Sequence, residues 1–331
     1  MALNVRQHIS LIDKYSEKYE TKSPTKLAKI LIREEKLENT IESLRKGISL
    51  YLNGKMTKFK RSPKNNSVDL EEVEIELNIP KSYYEEDAIL VLPKKCDNIL
   101  YIGDLHIPYH SIESIRLALK YAKNKGVNTI YINGDLLDCY QISRFRKDPE
   151  KLDLLDEIGL TTQFLRNLRN VFPDESIYYK IGNHEERFEN LAKDKVPELW
   201  KAKAIRTLPE LLECKELGIE IVKSKQLVKA GKLFVIHGHE YNGSGQINIA
   251  RGLLLKSQDN ILSHHYHRSQ HFDSKPINDK PLGAWSVGCL SGLKPAFCPL
   301  NNWVNGFAHQ VIESDETFTL YNKTIISGQI R

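Results

Sequence analysis

A chain of 331 residues allows one large domain with a smaller module beside it. Hydrophobic residues make up 40% and charged residues 27%, which excludes a disordered or fibrous chain, and no apolar run is long enough to span a bilayer. The net charge of +5 is uneven: residues 1–64 hold 15 Lys/Arg against 7 Asp/Glu, a net +8, and the remainder sums to −3. Such asymmetry fits a polyanionic partner, and equally a lysine-rich solvated surface.

Met1 to Ser10 lacks the apolar block of a signal peptide, so a cytoplasmic location with no membrane attachment is expected. The five cysteines (Cys96, Cys139, Cys214, Cys289 and Cys298) are odd in number and form no Cys-x-x-Cys, which argues against a disulfide framework or a zinc ribbon.

In chain order, apolar positions at Val5, Ile9, Ile12 and Tyr15 or Tyr19 have helical spacing. Ser23-Pro24 reads as an N-cap followed by proline in the first turn, opening a short helix through Leu27, Ile30 and Leu31. Leu37, Ile41, Leu44, Ile48 and Leu52 form one face of a longer helix ended by Asn53-Gly54. The segment from Pro24 to Ile48 resembles the helix-turn-helix of DNA-binding regulators, a pattern also met in small helical caps that dock partners. Residues 1–64 are therefore read as a basic helical module. Residues 65–96 read as a linker with a short strand around Val73, Ile75 and Leu77, and residues 97–331 as a catalytic domain.

From residue 97 the pattern becomes strand, helix, strand. Asn98–Ile102, Asn128–Ile132, Ser176–Ile181 and Lys232–Ile236 are apolar runs, as expected for strands buried on both faces. Each ends in polar residues: Asp104-Leu-His106, Gly134-Asp135-Leu-Leu-Asp138, Gly182-Asn183-His184-Glu185 and His237-Gly238-His239. A fifth run, His265-Tyr-His267, follows. Ligands of open α/β sheets gather at the carboxyl ends of the strands, so these side chains are expected at one edge. Carboxylate, amide and imidazole donors together suit a pair of divalent transition ions, a device for hydrolysing phosphate esters.

The order Asp-x-His, Gly-Asp-x-x-Asp, Gly-Asn-His-Glu, His and His-x-His over residues 103–267 resembles the calcineurin-like metallophosphoesterase superfamily, and the overall look is similar to phage-type members. The resemblance implies a four-layer α/β/β/α sandwich with the small helical module in front of it. It implies that Asp104, His106, Asp135 and His267 hold one metal, and that Asp135, Asn183, His237 and His265 hold the other. Asp135 would bridge the ions, and a hydroxide shared by them would attack phosphorus. Mn²⁺ is the first expectation, with Fe, Zn or Ni suiting the same donors. His184 is expected to face substrate, oriented by the carboxylate of Asp138.

Two departures from the family pattern stand out. His264 occupies the place of a glycine before the last His-x-His, where a side chain is expected to strain the turn. Cys139-Tyr140 follows Asp138 where the protein-phosphatase branch has Arg-Gly, leaving Arg144, Arg146 or Arg187 as candidate phosphate clamps. Trp285, Phe297, Trp303 and Phe307 read either as a wall beside the site that stacks on a base or as core aromatics. The expected activity is a metal-dependent phosphodiesterase or nuclease acting on nucleic acid or nucleotides. The alternatives are a phosphomonoesterase and a DNA-binding protein with a non-catalytic phosphoesterase scaffold. Oligomeric state leaves no mark in the sequence.

Overall fold

The computed structural model describes residue 5 and residues 9–54, 79–241, 247–277 and 279–331. The strand expected around Val73 lies outside the described residues. The chain divides into two compact units, Met1–Tyr84 and Glu85–Arg331.

In the first unit, helices α1 (Ile9–Lys18), α2 (Pro24–Glu34) and α3 (Ile41–Leu52) enclose a core of Ile12, Tyr15, Leu27, Leu31, Leu44 and Ile48. The sequence punctuation acts as expected. Ser23 Oγ accepts the Lys26 amide with Pro24 in the first turn, and Thr40 Oγ1 accepts the Ser43 amide, each satisfying an amide that the helix itself leaves unpaired. Tyr15 and Tyr51 donate to Glu35 and Asp13, each at 2.6 Å.

In the second unit the described strands form two sheets. One runs in the order β13 (Gln329–Ile330), β12 (Phe318–Ile326), β11 (Asn305–Ile312), β2 (Asn98–Ile102), β3 (Thr129–Asn133), β4 (Ser176–Lys180), β5 (Ile219–Val222). The other runs β1 (Leu90–Val91), β6 (Val228–Ala230), β7 (Leu233–Ile236), β8 (Ile261–Ser263), β10 (Leu282–Ser286), β9 (Gln270–Ser274). Leu90–Val91, inside the stretch read as linker, pairs in parallel with Val228–Lys229.

Period-two alternation divides each apolar strand between two cores. Ile99, Tyr101, Tyr131 and Tyr178 face Val228, Leu233, Val235 and Leu262 between the sheets. Leu100, Ile102, Ile130 and Tyr179 face outward against Ile115, Ala118 and Ala122 of α4 (Ile112–Lys125) and Leu165 and Leu168 of α5 (Leu154–Val171). On the opposite face, Leu253 and Leu254 of α9 (Ile249–Ser257) cover Ile236, Ile261 and Ala284. The result is the expected α/β/β/α sandwich. Between α5 and α9 the chain forms α6 (Glu186–Lys195), α7 (Pro197–Lys201) and α8 (Leu208–Leu211). No helix among the described residues is long and apolar enough to cross a membrane.

β7 belongs to the second sheet and not to the sheet of β2, β3 and β4. The alternating pattern of Thr317–Ile326 reads as the last strand of a second sheet; the strand instead extends the first, because β11 pairs antiparallel with both β2 and β12.

Candidate metal centre

The parallel trio β2, β3 and β4 points three carboxyl ends the same way, and the parallel pair β7 and β8 does so in the facing sheet. The turns after these five strands therefore meet at one edge. Asp104, His106, Asp135, His265 and His267 all lie there in the left-handed region, with φ of 51°, 50°, 51°, 72° and 57°. Non-glycine residues reach that region at a cost of order 1–3 kcal/mol, and such strain collects at functional sites. Gly182 is needed for a different reason: a Cβ there would collide with the carboxylate and amide of Asp135.

The seven expected ligands are brought together. Asp104, His106 and His267 offer donor atoms within 4.8 Å of one another, and so do Asp135, His237 and His265. Asn183 Oδ1 lies 3.2 Å from His237 Nε2, which is itself 3.3 Å from Asp135 Oδ2. Asp135 also stands 3.9 Å from His106 and 3.8 Å from His184, between the two groups.

The donor set fits two cations. Asp104 Oδ1 is buried with no hydrogen-bond partner, and burial pushes that carboxyl up to about 7. His106 Nε2 and His267 Nε2 face each other at 3.2 Å, two nitrogens suited to a shared ion. His237 Nδ1 bonds the Asn133 carbonyl at 2.6 Å, which leaves Nε2 as the ligating atom. Burial holds His267 well below its usual value and His265 down at about 4, so both are neutral. Burial opposes charge on His237, yet Asp135 and Asp104 carry it up to about 10; these carboxylates favour a cation at their side.

His184 and Asp138 form the expected pair with an altered contact. His184 Nδ1 bonds the Asp138 carbonyl at 2.7 Å and lies 3.3 Å from its carboxylate, which His106 Nδ1 approaches more closely, at 3.0 Å. Burial works to raise the Asp138 carboxyl, but hydrogen bonds from His106 and His184 hold it below the usual range. Of the three candidate arginines, Arg187 reaches this pair: Nη1 donates to the Asp138 carbonyl at 2.8 Å and Nη2 to His184 Nε2 at 2.9 Å.

The strain expected at His264 does not arise there. Its φ is not positive; it is buried, accepts from Asn133 Nδ2 at 2.9 Å, and donates its amide to the His237 carbonyl, so the left-handed turn falls on His265. His239 bonds Ser224 Oγ at 2.9 Å and stands outside the ligand groups. Of the four aromatics, Phe307 is buried beside Tyr121, and Trp285 stacks on His271 at 4.9 Å. Trp303 packs edge-on to His267 at 4.2 Å.

Three residues that position the site were not singled out, or only weakly, in the sequence. Glu185 accepts the amides of Asp135, Leu136, Leu137 and Gly182 and the Tyr179 hydroxyl, so it pins the Gly-Asp turn. Lys180 and Glu240 pair behind the ligands. A lysine inside an otherwise apolar strand run was the available signal for the last two.

A profile of the calcineurin-like phosphoesterase family matches residues 98–285, more than half of the chain and the segment that carries all seven ligands. The chain belongs to the calcineurin-like phosphoesterase family. This phosphoesterase is similar to solved structures at low identity. A single mutant of Vps29 from Entamoeba histolytica is 15% identical, covering 71% of this chain and 96% of that one, with a TM-score of 0.37. Yfce, a phosphoesterase from E. coli, is 14% identical over 68% and 98% of the two chains, with a TM-score of 0.34. A protein serine/threonine phosphatase from Saccharomyces cerevisiae is 15% identical over 71% and 83%, with a TM-score of 0.33. Comparison with curated proteins returns no match. Family and donor groups together make this a metal-dependent phosphoesterase.

Proposed function

We infer that the chain hydrolyses phosphodiesters of nucleic acid or nucleotides. The observation that carries this reading is the gathering of Asp104, His106, His267 on one side of Asp135 and Asn183, His237, His265 on the other. Two divalent ions, when bound, polarise phosphoryl oxygens and lower the pKa of a water between them. Asp104, His106, Asp135 and His267 are placed to hold one ion, and Asp135, Asn183, His237 and His265 the other, with Mn²⁺ the first to test.

The chain's own residues hold and orient the rest. His184 is fixed through Nδ1 by the Asp138 carbonyl, which aims Nε2, 3.8 Å from Asp135 Oδ2, at the site; Nε2 accepts from Arg187 here, so passing a proton to the leaving oxygen requires that bond to open and Nε2 to be protonated first. Arg187 brings a permanent positive charge to the same atom, where it can meet a phosphoryl oxygen. The nucleic-acid part of the reading is supported by the +8 charge of residues 1–64 and by exposed Arg144, Arg146 and Lys147, six to nine residues past Asp138. The protein-phosphatase alternative lacks the Arg-Gly after Asp138.

The test compares bis-p-nitrophenyl phosphate with p-nitrophenyl phosphate in Mn²⁺, then single-stranded DNA, duplex DNA, RNA, cyclic nucleotides and nucleoside monophosphates. Diester preference supports the reading; preference for the monoester by a wide margin overturns it.

A further inference from the structure

Between Pro281 and Ile312 the chain contains no carboxylate, yet it runs past a metal centre built on them. Within this stretch, residues 293–301 form a closed loop. Asn301 Nδ2 donates to the Leu293 carbonyl at 2.8 Å and the Cys298 carbonyl at 2.7 Å, and its Oδ1 accepts the Trp303 amide at 3.0 Å. The Cys298 amide closes a further turn on the Pro295 carbonyl, and Pro295 and Pro299 stiffen the tip.

The brace holds Phe297 82% exposed, its ring 6.2 Å from that of Trp303. Trp303 in turn lies 4.2 Å from His267, and the Val304 amide bonds the His267 carbonyl at 2.9 Å. Gly292, at the foot of the loop, donates to the carbonyl of Tyr109, three residues past His106. The loop is thus anchored to His267 and to the turn that follows His106. A core aromatic has no use for such exposure on a fastened loop, whereas two π-faces beside a phosphate site, with exposed Lys294 on the same loop, suit an unpaired nucleobase.

We propose that Phe297 and Trp303 form a stacking platform for a base next to the phosphate to be cut, so that the substrate is a single strand. A duplex keeps its bases inside the helix and offers this platform nothing. The proposal rests on the diesterase reading of the metal centre.

The experiment uses the full chain with Mn²⁺ and three oligonucleotides: a single strand, its duplex, and the same strand with abasic sites flanking the cut. Wild type should prefer the single strand to both by about 5- to 150-fold in kcat/KM, the span of about one to three kcal/mol for one stacked base. Phe297→Ala and Trp303→Leu should erase the preference over the abasic strand while metal content stays at the wild-type level. Equal use of single strand and duplex, or a preference that survives both substitutions, overturns the platform. If no oligonucleotide is cut, the nucleic-acid part of the diesterase reading fails, and fluorescence judges the platform separately. Quenching of Trp303 emission by the intact but not the abasic strand, lost in Trp303→Phe, supports it; no quenching overturns it.

Discussion

Lys180 Nζ lies 3.1 Å from Glu240 Oε1 with the lysine side chain fully buried, an ion pair that ties the end of β4 in one sheet to the turn after β7 in the other. Lys180 also donates to the Gln226 carbonyl at 2.6 Å, and Glu240 accepts the amides of His237 and Gly238. The pair therefore fixes the separation of Asn183 and His237, which come from different sheets. Losing one partner of a buried pair strands the other charge and costs about 3 kcal/mol or more. Lys180→Met and Glu240→Gln should each lose that much in urea unfolding. The double variant should lose less than the sum by ~1–3 kcal/mol, the coupling of residues in contact. Additive losses would show that the two do not act together.

Glu185 is the acceptor for four amides and one hydroxyl, more than a neutral amide can serve. Glu185→Gln puts an N–H donor where the chain presents donors. Because those amides form the turn that carries Asp135, Mn²⁺ affinity should fall about 10- to 100-fold, the usual effect of removing a group that orients a ligand. Titration calorimetry reads this directly, and an unchanged affinity would mean that the turn stands without its anchor.

His184 and Asp135 should separate metal retention from turnover. Asp135→Ala should abolish both together. His184→Ala should keep two metal ions per chain and lose about 10²- to 10⁴-fold in rate, the contribution of a positioned proton donor. His184 is also within 4.8 Å of His106 and Asp135 donor atoms, so a second geometry is available to it as a ligand. Metal analysis decides the point: loss of an ion from His184→Ala assigns it to the metals.

Glu157, fully buried on α5, accepts the Tyr140 amide at 3.3 Å through Oε1, while Oε2 has no partner. Burial and then the nearby Asp138 carboxylate push its carboxyl from 4.5 up to about 7. The native state thus binds a proton that the unfolded chain has released between these values, so stability falls as pH rises from 4.5 through about 7. The loss should reach ~3 kcal/mol. Glu157→Gln keeps an acceptor for Tyr140 and removes the titration. Its thermal stability should exceed that of the wild type at pH 8 and lack this decline; parallel curves for the two proteins would refute the assignment.

Much of the site was legible without coordinates because a buried strand announces itself. Asn98–Ile102 and Thr129–Asn133 are apolar on both faces, and whatever polar residue follows such a run stands at a sheet edge. The three helices of residues 9–52 were legible for a similar reason: Ser23-Pro24 and Asn53-Gly54 are local chemistry that acts within one turn of chain. What escaped was pairing between distant segments. Nothing in Lys232–Ile236 tells which sheet it joins, and Thr317–Ile326 alternates equally well at either edge.

The order of ligands along the chain, their donor chemistry and the family were set by the sequence alone, since those depend on residue identity and spacing. The tertiary structure decided that Lys180 meets Glu240, that Arg187 rather than Arg144 or Arg146 reaches His184, and that Trp303, but not Trp285 or Phe307, packs on His267 with Phe297 beside it. Each of these depends on how two packed sheets bring turns from different strands to one edge, and no local pattern encodes a distance between segments that pack only after the chain has closed.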